Sequence, residues 1–445
     1  MNRTISQETP RGIALTLIGR VERRGAFADR VFNSPDVRKL DRRDSDFIRE
    51  IVLGVLRTKL RLDRIIETYY NKSFASLDPD IVDIMRVGLY QMLLMDSVPD
   101  WAAVDESVKL ASQNLGKGAG NLVNAILRRY TREGEPPLPG DFADRVSVET
   151  SHPLWLVRKW ISVYGEGDTE RICRAGNEKH PVFVRAQSIK ISPDGLKDRL
   201  DGEGFESSAV TGMPGYLAVK SGEGLFRSAA FRDGLFTVQD PSAGMAGELL
   251  GPAKGESVLD LCAAPGGKAT HCAELMGDCG CVTAVDVNPK RIGLIRETVE
   301  RLGLDTVTCV RGDAETFAAD SGKMYDSVLL DAPCSGTGVL SKRLDIRWRL
   351  SEADIARMAE LQARMLDNAA DQVAPGGALV YSTCSLEPEE NGGIVSPFLD
   401  SRGDFTIERD NRFEAFETPY GYLILPHRMQ GTGAFAVKMR RQRHE

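Results

Sequence analysis

Val258-Leu-Asp-Leu-Cys-Ala-Ala-Pro-Gly-Gly-Lys-Ala-Thr270 decides how the segment around it folds. Residues 258–261 read as a short buried strand, the small residues after them as a turn, and 271–276 as the beginning of a helix. Small residues let the main chain approach a ligand closely, and a helix start offers it backbone N–H groups. Nucleotide-type sites at the carboxyl edge of a parallel sheet are built this way. The turn lacks the dinucleotide pattern G-x-G-x-x-G, which excludes a dinucleotide oxidoreductase. It is no Walker loop either, since Cys262 stands at the first glycine position and Ala269 follows Lys268.

Downstream, strands and helices alternate. Strands are expected at 258–261, 282–285, 307–310, 327–330 and 378–381, with helices at 289–302 and 351–373, the pattern of a doubly wound parallel sheet. Segments 422–425 and 434–439 read as an added hairpin with a basic tail. Upstream, residues 182–240 hold short β-rich segments separated by glycines, a small α+β module with antiparallel strands. Residues 1 to about 132 carry apolar residues at helical spacing only, as in Phe47-Ile48-Ile51-Val52-Val55-Leu56, and Asp78-Pro79 opens one of the helices of a compact bundle. Glu133-Gly-Glu-Pro-Pro-Leu-Pro-Gly140 has linker composition. The expected division is 1–135, 136–240 and 241–445.

A length of 445 residues agrees with two or three domains, and 42% hydrophobic with 27% charged residues describes a globular protein. No apolar run is long enough to cross a membrane. Met1-Asn-Arg-Thr-Ile-Ser-Gln7 lacks the apolar core of a signal peptide, and eight scattered cysteines favour a reduced, cytoplasmic protein. The net charge of −7 does not call for nucleic acid, but residues 1–140 carry 22 Lys and Arg against 19 Asp and Glu. Arg42, Arg43, Arg57, Lys59, Arg61 and Arg64 cluster near one helix, as a solvated helix face or an RNA-contacting one.

The strand ends carry the chemistry. Strand two ends in Asp286, nineteen residues after Gly267, where a carboxylate reaches a ribose diol. Strand three leads to Gly312-Asp313, strand four to Asp331-Ala-Pro-Cys334, and strand five to Ser382-Thr-Cys-Ser385 with Glu387-Pro-Glu-Glu-Asn391 after it. Three carboxylates and two cysteines converging on one edge suit one-carbon transfer to a pyrimidine. Carbon 5 of cytosine is a poor nucleophile until a thiolate adds to carbon 6 and makes it enamine-like, which is covalent catalysis. A carboxyl group at the Watson–Crick edge offsets the charge that develops.

The motifs Leu259-Asp-Leu-Cys-Ala-Ala-Pro-Gly-Gly-Lys268, Ala284-Val-Asp286, Leu330-Asp-Ala-Pro-Cys-Ser-Gly-Thr-Gly338 and Tyr381-Ser-Thr-Cys-Ser385 with Pro388-Glu-Glu-Asn391 closely resemble those of the RNA 5-methylcytosine methyltransferases. With a NusB-like helical domain in front, the chain is similar to the bacterial Sun/Fmu (RsmB) group, which methylates a small-subunit (16S) rRNA cytosine, and most like the enzyme for cytosine 967. The resemblance implies a Rossmann-like methyltransferase domain that uses S-adenosyl-L-methionine. It places the cofactor on Cys262, Ala263, Ala264, Pro265, Gly266, Gly267 and Lys268, its ribose on Asp286 and its adenine near Asp313. Asp331 lies by the methyl donor and the base, Cys384 is the nucleophile, and Cys334 assists product release. Small-subunit rRNA is the implied partner, lying over Lys268 and a basic surface near Arg343, Arg347 and Trp348. No metal, no membrane and a monomer are expected.

Three positions depart from the family pattern: Gln187 where an asparagine is usual, Leu344 where a proline is, and Thr432 in Gly431-Thr-Gly433 where Asp-Gly is commoner. His271, Cys272, Cys279 and Cys281 have the wrong spacing for a closed zinc site and read as packing residues. Trp155 and Trp160 read as packing rather than base-stacking side chains. The alternative function is a non-catalytic RNA-binding or antitermination factor with a vestigial sheet. Retention of every edge acid and both cysteines argues against it.

Overall fold

The computed structural model describes residues 9–318 and 322–443; the stretch Met1–Gln7 lies outside them. The chain divides into two compact units, residues 1–178 with 340–349, and residues 179–339 with 350–445.

The first unit is helical. Its central helix, Pro79–Leu94, is capped by Asp78, which accepts from the Asp80 N–H at 2.9 Å. Val82, Ile84, Met85, Val87 and Leu89 are all buried, so apolar contacts surround this helix rather than line one face of it. The ions on it are paired: Arg86 donates to Asp63 at 2.6 Å and to Asp83 at 3.0 Å. Most of the basic run on helix Arg42–Tyr69 is also engaged internally. Lys59 pairs with Glu22, Arg61 with Glu135 at 2.6 Å, and Arg64 donates to the Pro137 carbonyl. Lys59, Arg61 and Arg64 are therefore half-buried and held within the unit rather than displayed as a free basic face.

Two expectations are corrected here. The proline-rich stretch after Glu133 is strapped to helix Arg42–Tyr69 through Glu135, Pro137 and the Gly134 carbonyl, which accepts from Tyr69 Oη at 2.7 Å. The helices that follow it, Phe142–Thr150 and Leu154–Ala175, stay in the first unit. Residues 340–349, far along the sequence, also fold into this unit. Leu344 lies in its core, Trp348 Nε1 donates to the Leu56 carbonyl at 3.1 Å, and Arg347 is wholly buried.

The second unit holds two sheets. The smaller contains β1 (Val182–Ala186), β2 (Ser207–Ala209), β3 (Tyr216–Val219) and β4 (Phe236–Val238), antiparallel in the order β2-β3-β1-β4. Its residues alternate between two cores. Val184, Leu217 and Phe236 pack on helix Pro193–Gly202, while Phe183, Tyr216 and Ala218 join the core of the larger sheet. Gln187, buried, accepts from the Ile189 N–H at 2.8 Å and so shapes the turn after β1.

The larger sheet contains β5 (Ser257–Asp260), β6 (Cys281–Asp286), β7 (Val307–Arg311), β8 (Tyr325–Asp331), β9 (Val373–Thr383), β10 (Phe405–Glu408), β11 (Glu417–Thr418), β12 (Gly421–Ile424) and β13 (Ala434–Arg441). Its order is β11-β12-β13-β9-β8-β5-β6-β7, with β10 beside β13. Strands β5 to β9 are parallel and doubly wound, the order reversing between β5 and β8. Val258 and Leu259 point into opposite cores, as do Leu329 and Leu330. The expected terminal hairpin is not an appendage. Strand β13 pairs antiparallel with β9 along Thr383 to Ala378 and makes the hairpin part of the sheet.

Candidate active site

Parallel strands bring their carboxyl ends to one edge, and register sets which end residues are neighbours. Asp260 of β5 lies opposite Ala284 of β6 and Leu329 of β8, and Asp331 of β8 lies opposite Ser382 of β9. These ends and the loops beyond them carry the expected cofactor-turn residues, Asp286, Asp313, Asp331 and the two cysteines.

The turn after β5 is pinned at several points. The Ala263 N–H donates to the Val285 carbonyl at 2.9 Å, and the Gly266 N–H to the Ala263 carbonyl at 2.7 Å. Gly266 has φ 107°, a left-handed conformation that L side chains rarely adopt. Helix Gly267–Leu275 begins there, four residues earlier than expected, and no side chain caps it, so its first N–H groups face the site. Gln239 Nε2 donates to the Gly267 carbonyl at 3.3 Å and Gln239 Oε1 accepts from Tyr216 Oη at 2.8 Å, so β3 steadies the turn. Arg291 donates to the Ala264 carbonyl at 2.8 Å and lies 3.3 Å from Asp286. Asp286 is buried and also accepts from the Asn288 N–H at 2.9 Å. Asp313 is exposed, with one oxygen on the Glu315 N–H at 3.0 Å. Burial pushes the Cys262 thiol up, so it stays neutral.

Behind this turn sits a charge cluster. Lys268 Nζ lies 2.7 Å from Asp331, whose other oxygen accepts from Ser382 Oγ at 2.8 Å. Burial works against the Lys268 charge, but Asp331 outweighs it and raises the ammonium above its usual range. The Asp260 carboxyl is fully buried, and no hydrogen bond of ordinary geometry reaches either oxygen. Burial first and Asp331 second push it up to about 7. Sequence reasoning passed over Asp260 as part of a strand. Its signal was an acid inside the apolar run Val258-Leu-Asp-Leu261.

The two cysteines meet beyond β8 and β9. Cys334 Sγ and Cys384 Sγ are 3.1 Å apart, and the Cys384 N–H donates to Cys334 Sγ at 3.3 Å. The hydrogen bond to Cys384, then burial, push the Cys334 thiol well above its usual range. The Gly338 N–H donates to the Cys384 carbonyl at 2.9 Å, and the Gly433 N–H to the Gly338 carbonyl at 2.8 Å. Thr432 is buried close by, its hydroxyl 3.1 Å from Ser242 Oγ and its N–H donating to Asp240 at 3.3 Å. Glu390, also missed in the sequence, is wholly buried between the two cysteine loops. The signal available was an acid in Pro388-Glu-Glu-Asn391 just after β9; the Asn391 amide beside it donates to the Ser385 carbonyl at 3.0 Å.

The expected RNA surface does not form as drawn. Lys268 is spent on Asp331. Arg347 donates to the carbonyls of Ser151 at 3.1 Å and Gly176 at 2.8 Å and to Asn177 Oδ1 at 2.8 Å, inside the first unit. Of Arg343, Arg347 and Trp348, only Arg343 is exposed. Among the described residues, no three His, Cys, Asp or Glu side chains converge as metal ligands.

Residues 248–440 match the model of the 16S rRNA methyltransferase RsmB/F family, 8–132 that of the NusB family, and 152–222 that of the RsmF/B-like ferredoxin-like domain. A protein of Bacillus subtilis described as probable ribosomal RNA small subunit methyltransferase B is 34% identical, covering 97% of this chain and 98% of its own. Ribosomal RNA small subunit methyltransferase B of Salmonella paratyphi A is 33% identical over 97% and 99%. Among solved structures, that of PH0851 superposes with a TM-score of 0.80 at 26% identity, covering 97% and 98%. A methyltransferase homologue from Pyrococcus horikoshii gives 0.59 at 27% identity, covering 68% of this chain and 100% of its own.

Proposed function

The chain belongs to the RsmB/F family of 16S rRNA methyltransferases, and from that premise we propose that it methylates carbon 5 of a cytosine in small-subunit rRNA, through a covalent adduct with Cys384. The observation that carries this reading is the 3.1 Å apposition of Cys334 and Cys384 beside the Lys268–Asp331 pair. S-adenosylmethionine supplies an electrophilic methyl on a positively charged sulfur. The residues present fit it. Cys262, Ala263, Ala264, Pro265, Gly266, Gly267 and Lys268 give a small-residue turn with an uncapped helix start, Asp286 a buried carboxylate for a diol, and Asp313 an acceptor further along the edge. Asp331 and the part-ionised Asp260 beside one ammonium give the turn acidic surroundings, which suit a cation.

The chain's own groups then act in turn. Cys384 sulfur, its proton given up to solvent, forms a bond to carbon 6 of the cytosine, and the ring electrons pass to carbon 5, which takes the methyl group as the methyl–sulfonium bond breaks and leaves its electron pair on the donor's sulfur. Carbon 5 loses its hydrogen as a proton, the carbon–sulfur bond breaks, and the electron pair returns to Cys384. Cys334, beside the adduct sulfur, assists that release. Asp331, fixed by Lys268 and Ser382, meets the polar edge of the base. The base reaches this recess only when unstacked from its neighbours. The protein acts as a cytoplasmic monomer in this reading. Among the described residues no helix is long and apolar enough to cross a membrane.

Incubation with methyl-labelled cofactor and small-subunit rRNA, followed by mapping of the label, tests the proposal. Label on carbon 5 of one cytosine, at position 967, is the expected result. Label on another base or another atom overturns it.

A further inference from the structure

Between the two cysteine loops lies a carboxylate that the reaction does not use. Glu390 is in the one-turn helix Pro388–Glu390 that follows β9, and its side chain is fully buried. One oxygen accepts from the Ser335 N–H at 2.8 Å and from Gln362 Nε2 at 2.9 Å. The other accepts the hydroxyls of Ser335 and Ser385, which are themselves 3.1 Å apart. Ser335 follows Cys334 and Ser385 follows Cys384, so a single side chain ties both cysteine loops at equivalent positions. Gln362 adds a bond to the Pro333 carbonyl at 2.9 Å, fixing the residue on the other side of Cys334. Four donors on two oxygens is the arrangement of a carboxylate rather than of a carboxylic acid. With its lone pairs taken and its surface covered, Glu390 cannot touch a substrate.

We propose that Glu390 is the positioning residue of this site, clamping the two cysteine loops together through Ser335 and Ser385. The inference depends on the proposed roles of the two cysteines. The clamp acts through Ser335 and Ser385 and keeps the sulfurs in contact while loops from two different strands bear on one base. Its negative charge also disfavours a second anion at Cys334.

Glu390→Gln tests this in the full chain. The substitution keeps the shape, and the serine hydroxyls can turn to accept from the new amide, so only the charge is lost. Alkylation by iodoacetamide, followed against pH and mapped to each cysteine by mass spectrometry, reads the effect of the charge on Cys334. In the wild type Cys334 reacts only at high pH. In Glu390→Gln the Cys334 profile moves to lower pH by about one unit. The kcat for methylation falls roughly tenfold to a hundredfold with KM for the cofactor unchanged. A wild-type alkylation profile together with a wild-type kcat overturns the proposal. Should Glu390→Gln fail to fold, judged by thermal melting, the pair Ser335→Ala with Ser385→Ala decides. It keeps the charge and cuts the hydroxyl links, and a wild-type kcat there overturns the clamp. Cys384→Ala separates the two levels, because methylation retained in that variant defeats the reading of the cysteines however Glu390 behaves.

Discussion

Lys268 Nζ stands 2.7 Å from Asp331, joining the cofactor turn after β5 to the strand end that leads to Cys334. The lysine carries the only positive charge among the neighbours that shift Asp260, where it opposes burial and Asp331. Lys268→Met leaves the buried Asp260 and the half-buried Asp331 without a cation between them and frees Asp331 to move. Methylation is expected to fall roughly a hundredfold, the cost of misplacing a group by about an ångström. Single-turnover assays at saturating RNA measure it; a rate within about twofold of wild type would show that the ion pair positions nothing.

Asp260 makes the second unit less stable as pH rises. Its carboxyl is raised from 3.8 to about 7, so between those values the folded state keeps a proton that the unfolded state has lost. The stabilisation is complete at low pH and is lost as pH climbs to about 7, a change of order 4 kcal/mol. Asp260→Asn abolishes this slope. Hydrogen exchange of the β5 and β8 amides in cofactor-free protein, compared at pH 5 and pH 8, is expected to show the variant gaining on the wild type at the higher pH.

Arg347 is a structural cation. Burial lowers its guanidinium to about 9, still charged at neutral pH, and it is held by carbonyls rather than by a carboxylate. Arg347→Ala leaves two or more buried carbonyls without a donor, at about 1–3 kcal/mol each. The expected outcome is a lower melting temperature for the helical unit, followed by tryptophan fluorescence, since Trp101, Trp155, Trp160 and Trp348 all lie in that unit. The loss of RNA binding should follow the loss of folding. Weakened RNA binding with an unchanged melting temperature would restore Arg347 as a contact residue.

Gly338 supports Cys384 from below. A Cβ there would sit 2.4 Å from the Gly433 carbonyl oxygen and 2.9 Å from that of Cys384, both backbone atoms that cannot turn aside. Gly338→Ala must therefore displace the Cys384 loop. Activity is expected to drop roughly a hundredfold while cofactor binding, read by calorimetry, is retained.

The doubly wound core was legible because its strands hold apolar runs that end in, or lead within two residues to, an acid or a cysteine, and sheet topology brings those ends together. Asp260 was not, because an acid inside a strand looks the same whether it caps a turn or lies buried without a donor. The placement of 340–349 was hidden for a different reason. Leu344, Arg347 and Trp348 sit between catalytic motifs in the sequence, yet their partners, such as Leu56 and Ser151, lie about 200 residues or more upstream. Periodicity reports local structure and carries no trace of such a pairing. Thr432 departs from the family pattern, but its contacts with Ser242 and Asp240 give the substituted residue a place in the same support.

The central claim is that Cys384 forms the bond to cytosine and Cys334 helps to break it. The most direct measurement is a denaturing gel of each variant after incubation with small-subunit rRNA and cofactor. Cys334→Ala is expected to give a slow-migrating covalent protein–RNA species, and Cys384→Ala neither that species nor methylated RNA. Undiminished methylation by Cys384→Ala, or free turnover without an adduct by Cys334→Ala, would contradict the account.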